Sequence, residues 1–411
     1  MKDTDLYAQI LGIRSPWKVT EVKLALAAGE VSVFVEHDPA IALSCPKCGT
    51  TSPGYDKRQR KWRHLDTCQY KTMLVADVPR VQCPEHGVVT VEVPWAEAGS
   101  GFTALFEALV IDWLREASIS AVSRQMNLSW NAIDGIMSRA VARGLARRES
   151  ENPKHLGVDE TAFRKRHDYV TIVSDQEQGR VLHVALGRNK KDLAAYYDTL
   201  SEAQKSGIES VAMDMWSAYI NATLEKVPDA GRKIAFDKFH VAKYLGEAVD
   251  KVRREEHKQL LGQERKDLTG TKHVWLTNPA NMSAKQWRWF RDLRESSLKT
   301  ARAWALKEAA MGLWHYARRP WAVKAWKKWL SWAVRCRLEP MKKVARTIKE
   351  HLWGILNAII LKVTNGPAES INSRIKTIKV RSRGFRNKER FRNAIYFHLG
   401  GLNLYPESIA R

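Results

Sequence analysis

Residues 155–160 read HLGVDE, residues 209–216 read ESVAMDMW and residues 232–240 read RKIAFDKFH. Each is a short apolar run that closes on an aspartate, the pattern of a buried strand delivering a carboxylate at its end. Between the first two lie YVTIVSD (169–175) and RVLHVALG (180–187), strands of a hairpin turning at Gln178-Gly179. KKDLAAYYDTLSEAQ (190–204) and SAYINATLEKV (217–227) read as helices, and a long helix is expected from His240 to about Arg254.

The order is β-β-β-α-β-α-β-α, which predicts a mixed sheet with helices on its faces, the order of a ribonuclease-H-like fold. In such a sheet the first and fourth strands are neighbours, so Asp159 and Asp214 can meet. Glu160 should point to the opposite side of the strand. Asp237 and His240 form a second polar cluster, either supporting a metal site or contacting DNA, or simply a strand-to-helix turn with Asp237 near the N-cap.

Beyond residue 254 the character changes. Residues 255–350 are helical, charged and rich in tryptophan, with Val323, Trp326, Leu330 and Ala333 at three- and four-residue steps. That spacing favours buried core over base-stacking aromatics. The region reads as an α-helical insertion. A helix then starts at Asn365-Gly366-Pro367, with Glu369 in its first turn. The stretch from Arg374 to Arg392 is densely basic, and Arg374, Lys376, Lys379, Arg381, Arg383 and Arg386 are expected to line a phosphate path.

Toward the N-terminus, KVTEVKLALAAGEVSVFVEH (18–37) alternates as a β-hairpin. CPKCG (45–49) and CPEHG (83–87) are two knuckles in which a two-residue gap turns both ligands toward one ion and a glycine relieves the turn. Cys45, Cys48, Cys83 and His86 are therefore the expected Zn²⁺ ligands. His64 and Cys68 lie between the knuckles as rivals, and ordinary reduced cysteines are the alternative. An odd count of five cysteines argues for a reducing compartment, and Cys336 reads as a small buried apolar residue. FTALFEALVIDWLREA (102–117), ISAVSRQMN (119–127) and the segment from Trp130 to Arg148, N-capped by Ser129, suggest a helix-turn-helix. Trp130, Asn131, Asp134 and Arg139 are candidates to face DNA.

The chain has 68 Lys and Arg against 45 Asp and Glu, a net charge of +23. Such an excess favours a polyanionic partner. No apolar run spans a bilayer, so double-stranded DNA is expected and a membrane is not. Phosphoryl transfer on DNA uses two hard cations held by a few converging carboxylates, so Mg²⁺ (or Mn²⁺) is the expected cofactor. Glu369 can cap the pair formed by Asp159 and Asp214.

These motifs together (CPKCG, CPEHG, HLGVDE, AMDMW followed by SAY, FDKFHVAKYL, TNGPAESINSRIK and RSRGFRN) cover nearly the whole chain. The sequence resembles the ISL-three family of bacterial insertion-sequence transposases. The resemblance implies an acidic triad of Asp159, Asp214 and Glu369 that binds the catalytic metal, cutting and joining DNA at the ends of an insertion sequence. His86 stands where a cysteine would be equally expected. The implied organisation is a β/zinc module (1–95), a helix-turn-helix (96–150), the first part of the core (151–254), the helical insertion (255–350) and the last part of the core with the basic tail (351–411). A homodimer or higher oligomer on DNA, in the cytoplasm at the nucleoid, follows. The rivals are another ribonuclease-H-like nuclease, which would lack end-binding modules, and a non-enzymatic DNA-binding regulator, which would need none of the three carboxylates.

Overall fold

The computed structural model describes residues 2–149, 151–164, 168–296, 298–363, 366–407 and 409. The chain divides into two compact units. One is Met1–Glu149 with Arg381–Arg383 and Leu402–Arg411, and the other is Ser150–Val380 with Gly384–Gly401.

The first unit begins with α1 (Asp3–Ile10) and a five-stranded sheet of β1 (Trp17–Ala25), β2 (Glu30–His37), β3 (Gly54–Arg63), β4 (Lys71–Cys83) and β5 (Gly87–Thr90). The strand order is β1-β2-β4-β3, with β5 paired to β4. Alternation in β2 sends Val31, Val33 and Val35 inward. They join a core where Trp95 packs edge-on against Trp17 and Trp62, at ring separations of 5.0 and 5.5 Å.

Three helices follow: α2 (Ala104–Glu116), α3 (Ile119–Met126) and α4 (Trp130–Ala146). Thr103, Ser118 and Ser129 each cap one of them by accepting a backbone N–H. Asn127 ends α3 at φ +49°, which makes the tight turn into α4. Glu107, 1% exposed, receives Arg139 at 2.5 Å and Arg143 at 3.0 Å, and Arg143 also binds Glu97 and the Leu404 carbonyl. Arg139, expected to face DNA, is thus engaged by a buried carboxylate that needs cationic partners. Glu107→Ala would take the carboxylate from Arg139 and one of two from Arg143, which keeps Glu97, and a buried donor left without its partner costs about 1–3 kcal/mol. Thermal unfolding should show the helical segment destabilised by that amount; a shift below ~1 kcal/mol would sink this reading.

The second unit holds a five-stranded sheet of β6 (His155–Arg164), β7 (Asp168–Asp175), β8 (Arg180–Ala185), β9 (Ser210–Met213) and β10 (Ile234–Phe236). Its order is β10-β9-β6-β7-β8; β6, β7 and β8 are antiparallel neighbours, while β6, β9 and β10 run parallel. Helices α5 (Lys190–Asp198), α6 (Glu202–Gly207), α7 (Ser217–Lys226) and α8 (Ala230–Lys233) connect the strands. Then α9 (Lys238–Leu261) leaves β10 and runs past the expected end near Arg254, because Val252, Glu256 and Leu260 remain buried along its length.

Six more helices follow: α10 (Lys272–Leu276), α11 (Ala284–Glu295), α12 (Lys299–Gly312), α13 (Arg319–Arg335), α14 (Glu339–Glu350) and α15 (Leu352–Leu361). Buried Glu256 of α9 accepts the Lys299 and Thr300 N–H groups at 2.8 and 2.7 Å, so it caps α12 from outside, where Leu298 offers no side-chain cap. Trp275, Trp304, Trp326 and Trp329 are buried in one apolar cluster with the sheet. The insertion therefore shares the core instead of forming a separate one. Trp289, Trp321 and Trp332 are exposed.

α15 brings the chain back to β10, where Phe236 fills the space that a side chain at Gly354 would occupy. The buried Asn357 donates to the Gly231 and Ile234 carbonyls at 2.9 and 2.8 Å. Helix α16 (Gly366–Arg381) holds Pro367 in its first turn; Asn365 lies outside the described residues. The basic stretch is two helices, α16 and α17 (Lys388–Leu399), joined by a turn at Arg383 and Gly384, whose φ values are +53° and +90°. Residues 351–411 do not all stay in the core. Leu404 and Tyr405 pack in the first unit, where the Tyr405 hydroxyl meets Asp112 at 2.6 Å. Among the described residues no helix is long and apolar enough to cross a membrane.

Candidate metal and catalytic sites

β4 ends at Cys83 and β5 starts at Gly87, so the hairpin turn carries Cys83 and His86. Gly49 and Gly87, at φ +73° and +65°, close the two knuckles in the left-handed conformation that glycine adopts freely. The ligand atoms of Cys45, Cys48, Cys83 and His86 all lie within 4.8 Å of one another. Cys48 and Cys83 Sγ are 3.6 Å apart, and His86 Nδ1 is 3.6 Å from Cys83 Sγ and 3.8 Å from Cys45 Sγ. A tetrahedron with Zn–S of about 2.3 Å and Zn–N of about 2.0–2.1 Å has edges of roughly 3.5–3.8 Å. The donor set therefore fits zinc. The rivals stand elsewhere. His64 is buried against Thr103 at 2.8 Å, its pKa pushed down to about 4 by burial, and Cys68 is exposed. Cys336 is buried, as read.

In the second unit, register aligns the acids. Val158 of β6 pairs with Met213 of β9, and Met213 pairs with Phe236 of β10. The next residue on each is Asp159, Asp214 and Asp237, a row that lies just past the carboxyl ends of β9 and β10 and beside the middle of β6, which runs on to Arg164. Burial raises the Asp159 pKa to about 6, with repulsion from Asp214 and Asp237 adding to it. The Glu160 N–H, at 2.7 Å, and His240 oppose the rise. Burial also raises Asp214, which accepts the Trp216 N–H at 3.1 Å. Asp237 caps α9 through the Phe239 N–H at 3.0 Å and lies 3.9 Å from His240 Nε2. Asp237 is thus the N-cap of α9, as one of the two readings had it, and it also stands in the acidic row.

Asn372 Nδ2 donates to Asp159 Oδ2 at 2.7 Å. Glu369 sits three residues earlier on α16, exposed in the first turn. The structure thus sets the helix of Glu369 against Asp159. Asp159, Asp214 and Glu369 are not gathered as a set, since among the described residues only Cys45, Cys48, Cys83 and His86 bring three or more ligand atoms within 4.8 Å of one another.

Two contributors escaped the sequence reading. Asn372 was legible in principle, because a three-residue step from Glu369 puts both on one helical face. Arg188 was not. Its guanidinium lies 4.6 Å from the Tyr169 ring centre and 4.9 Å from that of Trp216, and 3.5 Å from Glu160, partners scattered along the chain. That ion pair turns Glu160 away from a simple role as ligand.

Of the DNA candidates, Asn131 is exposed and Trp130 and Asp134 half-buried on α4. Arg374, Lys376, Arg381, Arg383 and Arg386 are exposed. Lys379 is partly used internally, donating to the Ala162 carbonyl at 2.6 Å.

A zinc knuckle and a helix-turn-helix, joined in one chain to a sheet with aligned carboxylates, define an enzyme that binds DNA with one part and processes it with another. The chain belongs to the ISL3 family of transposases. Residues 156–395 match the family described as a transposase, residues 91–141 the helix-turn-helix domain of transposase family ISL3, and residues 42–86 the zinc-finger of transposase IS204/IS1001/IS1096/IS1165. Similar proteins include the transposase for insertion sequence element IS1557 of Mycobacterium tuberculosis, 28% identical over 95% of this chain and 94% of the relative. Another is the transposase for insertion sequence element IS1001 of Bordetella parapertussis, 26% identical over 88% of this chain and 89% of the relative.

Proposed function

We propose that this transposase works on a ribonuclease-H-like core, with Asp159, Asp214 and Glu369 as its catalytic carboxylates. The observation that carries the reading is the register placing Asp159 and Asp214 side by side on neighbouring parallel strands. The strand order β10-β9-β6-β7-β8 and its mix of directions support the fold.

Mg²⁺ or Mn²⁺, when bound by these carboxylates, would supply charge neutralisation at the phosphate and a lowered pKa for the attacking group. Oxygen-only donors suit such hard cations. Asp159 accepts Asn372 Nδ2 at Oδ2 and the Glu160 N–H at Oδ1, which fixes the plane of its carboxylate. Water attacks phosphorus at the element end, breaking the bond to the 3′ oxygen, which leaves as the hydroxyl after taking a proton. That hydroxyl then attacks a target phosphodiester; one P–O bond forms as another breaks, and no external energy source is used.

The zinc module and helix-turn-helix bind the terminal repeats. An element has two ends to be cut together, so the working form is a homodimer or higher oligomer on DNA, held at the nucleoid of the cytoplasm. The test is cleavage of a labelled end duplex with Mg²⁺ or Mn²⁺, alone and after chelation.

Binding to end DNA should weaken steeply with salt, because each phosphate contact releases condensed counterions. Arg381→Ala with Arg383→Ala should reduce affinity for end and random DNA alike and flatten the salt slope by about 2. Asn131→Ala should leave the slope intact and narrow the gap between end and random DNA, by roughly 1–3 kcal/mol. Identical behaviour of the two variants in a titration series would remove α4 from the recognition role.

A further inference from the structure

Two hollows meet at Phe239, in the first turn of α9. The larger, about 790 Å³, mixes three carboxylates with five Lys and Arg side chains on its walls and, unlike the smaller, is not lined by Asp237. The smaller, about 490 Å³, runs from Asp237 to Gly366, where the helix bearing Glu369 begins. Its walls are apolar, with Phe239, Trp314, Met311 and Ile359, and its charged groups are Lys238, Lys362 and Asp237. Lys238 Nζ lies 5.9 Å from the Trp314 ring centre.

Phe239 is 57% exposed although it stands two residues after a buried aspartate. Phe239 lines both hollows, so its exposed ring is part of a concave apolar wall of the kind that takes a ligand, and not a lone surface side chain. The chemistry of the hollow matches one nucleotide: a π-face for a base, and two lysines for its phosphate. The position matches too, since Asp237 belongs both to the acidic row and to the hollow.

We propose that the smaller hollow receives one unpaired nucleobase of the DNA strand being cut, stacked on Phe239, with its phosphate held by Lys238 and Lys362. Phe239 is a positioning residue: it draws the base out of the duplex and thereby fixes the neighbouring phosphate at the carboxylates. The inference rests on the placement of strand cleavage at Asp159 and Asp214.

The experiment is strand cleavage by the full chain with Mn²⁺, using end duplexes that carry a single abasic site at each position around the cut in turn. Phe239→Ala should cleave the fully paired duplex roughly tenfold to a hundredfold more slowly, with end binding unchanged, the range expected for one lost base stack. An abasic site at one position should restore the variant to near the wild-type rate, because no base then has to be extracted. Phe239→Trp should keep the wild-type rate on paired DNA, and Phe239→Leu, apolar but not flat, should not. Wild-type cleavage by Phe239→Ala overturns the proposal. So does a defect of equal size on paired and abasic duplexes at every position, which would mark a merely structural role. Asp214→Asn is run beside them. If it cleaves, the placement of catalysis fails, while the abasic pattern still reads the base-binding role of Phe239.

Discussion

Asp159→Asn and Asp214→Asn each abolish strand cleavage in the expected result, with end binding retained. The amide keeps the shape of the carboxyl but removes the charge that attracts a cation. Loss of one metal removes several kcal/mol of transition-state stabilisation, which corresponds to about 10³-fold or more in rate. Burial raises both aspartates, with repulsion from Asp214 and Asp237 adding at Asp159 and from Asp237 at Asp214, so each amide also relieves a crowded charge row and should not lower the melting temperature. Glu369→Gln should be as inactive. Asp237→Asn should be milder, because its main visible contacts are the α9 cap and His240. Cleavage rates across the four variants, read beside a binding assay, decide the assignment. If Glu369→Gln cleaves normally and Asp237→Asn does not, the third carboxylate is Asp237.

The second large effect lies at the zinc ligands. Cys45→Ser should reduce bound zinc from about one per chain to near none. The apolar cluster around the site is small, consisting of Cys45, Val81 and Cys83 with Leu43, Val89 and Val91 against it. Structural zinc contributes about 10–16 kcal/mol in small zinc-finger modules, far more than such a cluster provides. The knuckle should therefore unfold, seen as new protease cleavage between residues 42 and 86, while catalytic cleavage of high-concentration DNA survives. Zinc at full occupancy in the purified variant, or a knuckle as protease-resistant as in the wild type, would contradict the assignment.

The sequence made the sheet legible because its strands are continuous apolar runs, and the aspartates follow those runs directly. The knuckles were legible through spacing alone. The Ser129 cap and the buried stripe with Trp326, Leu330 and Ala333 followed from local rules. What stayed hidden depends on partners far away in sequence. Arg139 looked free until buried Glu107 came opposite it, and Arg188 until Tyr169 and Trp216 closed on it. α9 outran its expected end because Val252, Glu256 and Leu260 stay buried, Glu256 against the start of α12, and no window around residue 256 reveals that partner. The alignment of Asp237 with Asp159 and Asp214 required the register, which hydrophobic pattern suggests but does not fix.

The tie between Arg143 and the Leu404 carbonyl, with Tyr405 on Asp112, spans 261 residues. On the ribosome, α2 to α4 emerge early, yet the segment that locks them is made 261 residues later. At about 5–20 residues per second, that leaves roughly 13–50 s in which the DNA-reading helices exist without their clasp. A chain that stops before Leu404 carries α2 to α4 without either contact, so those helices should unfold more readily in it.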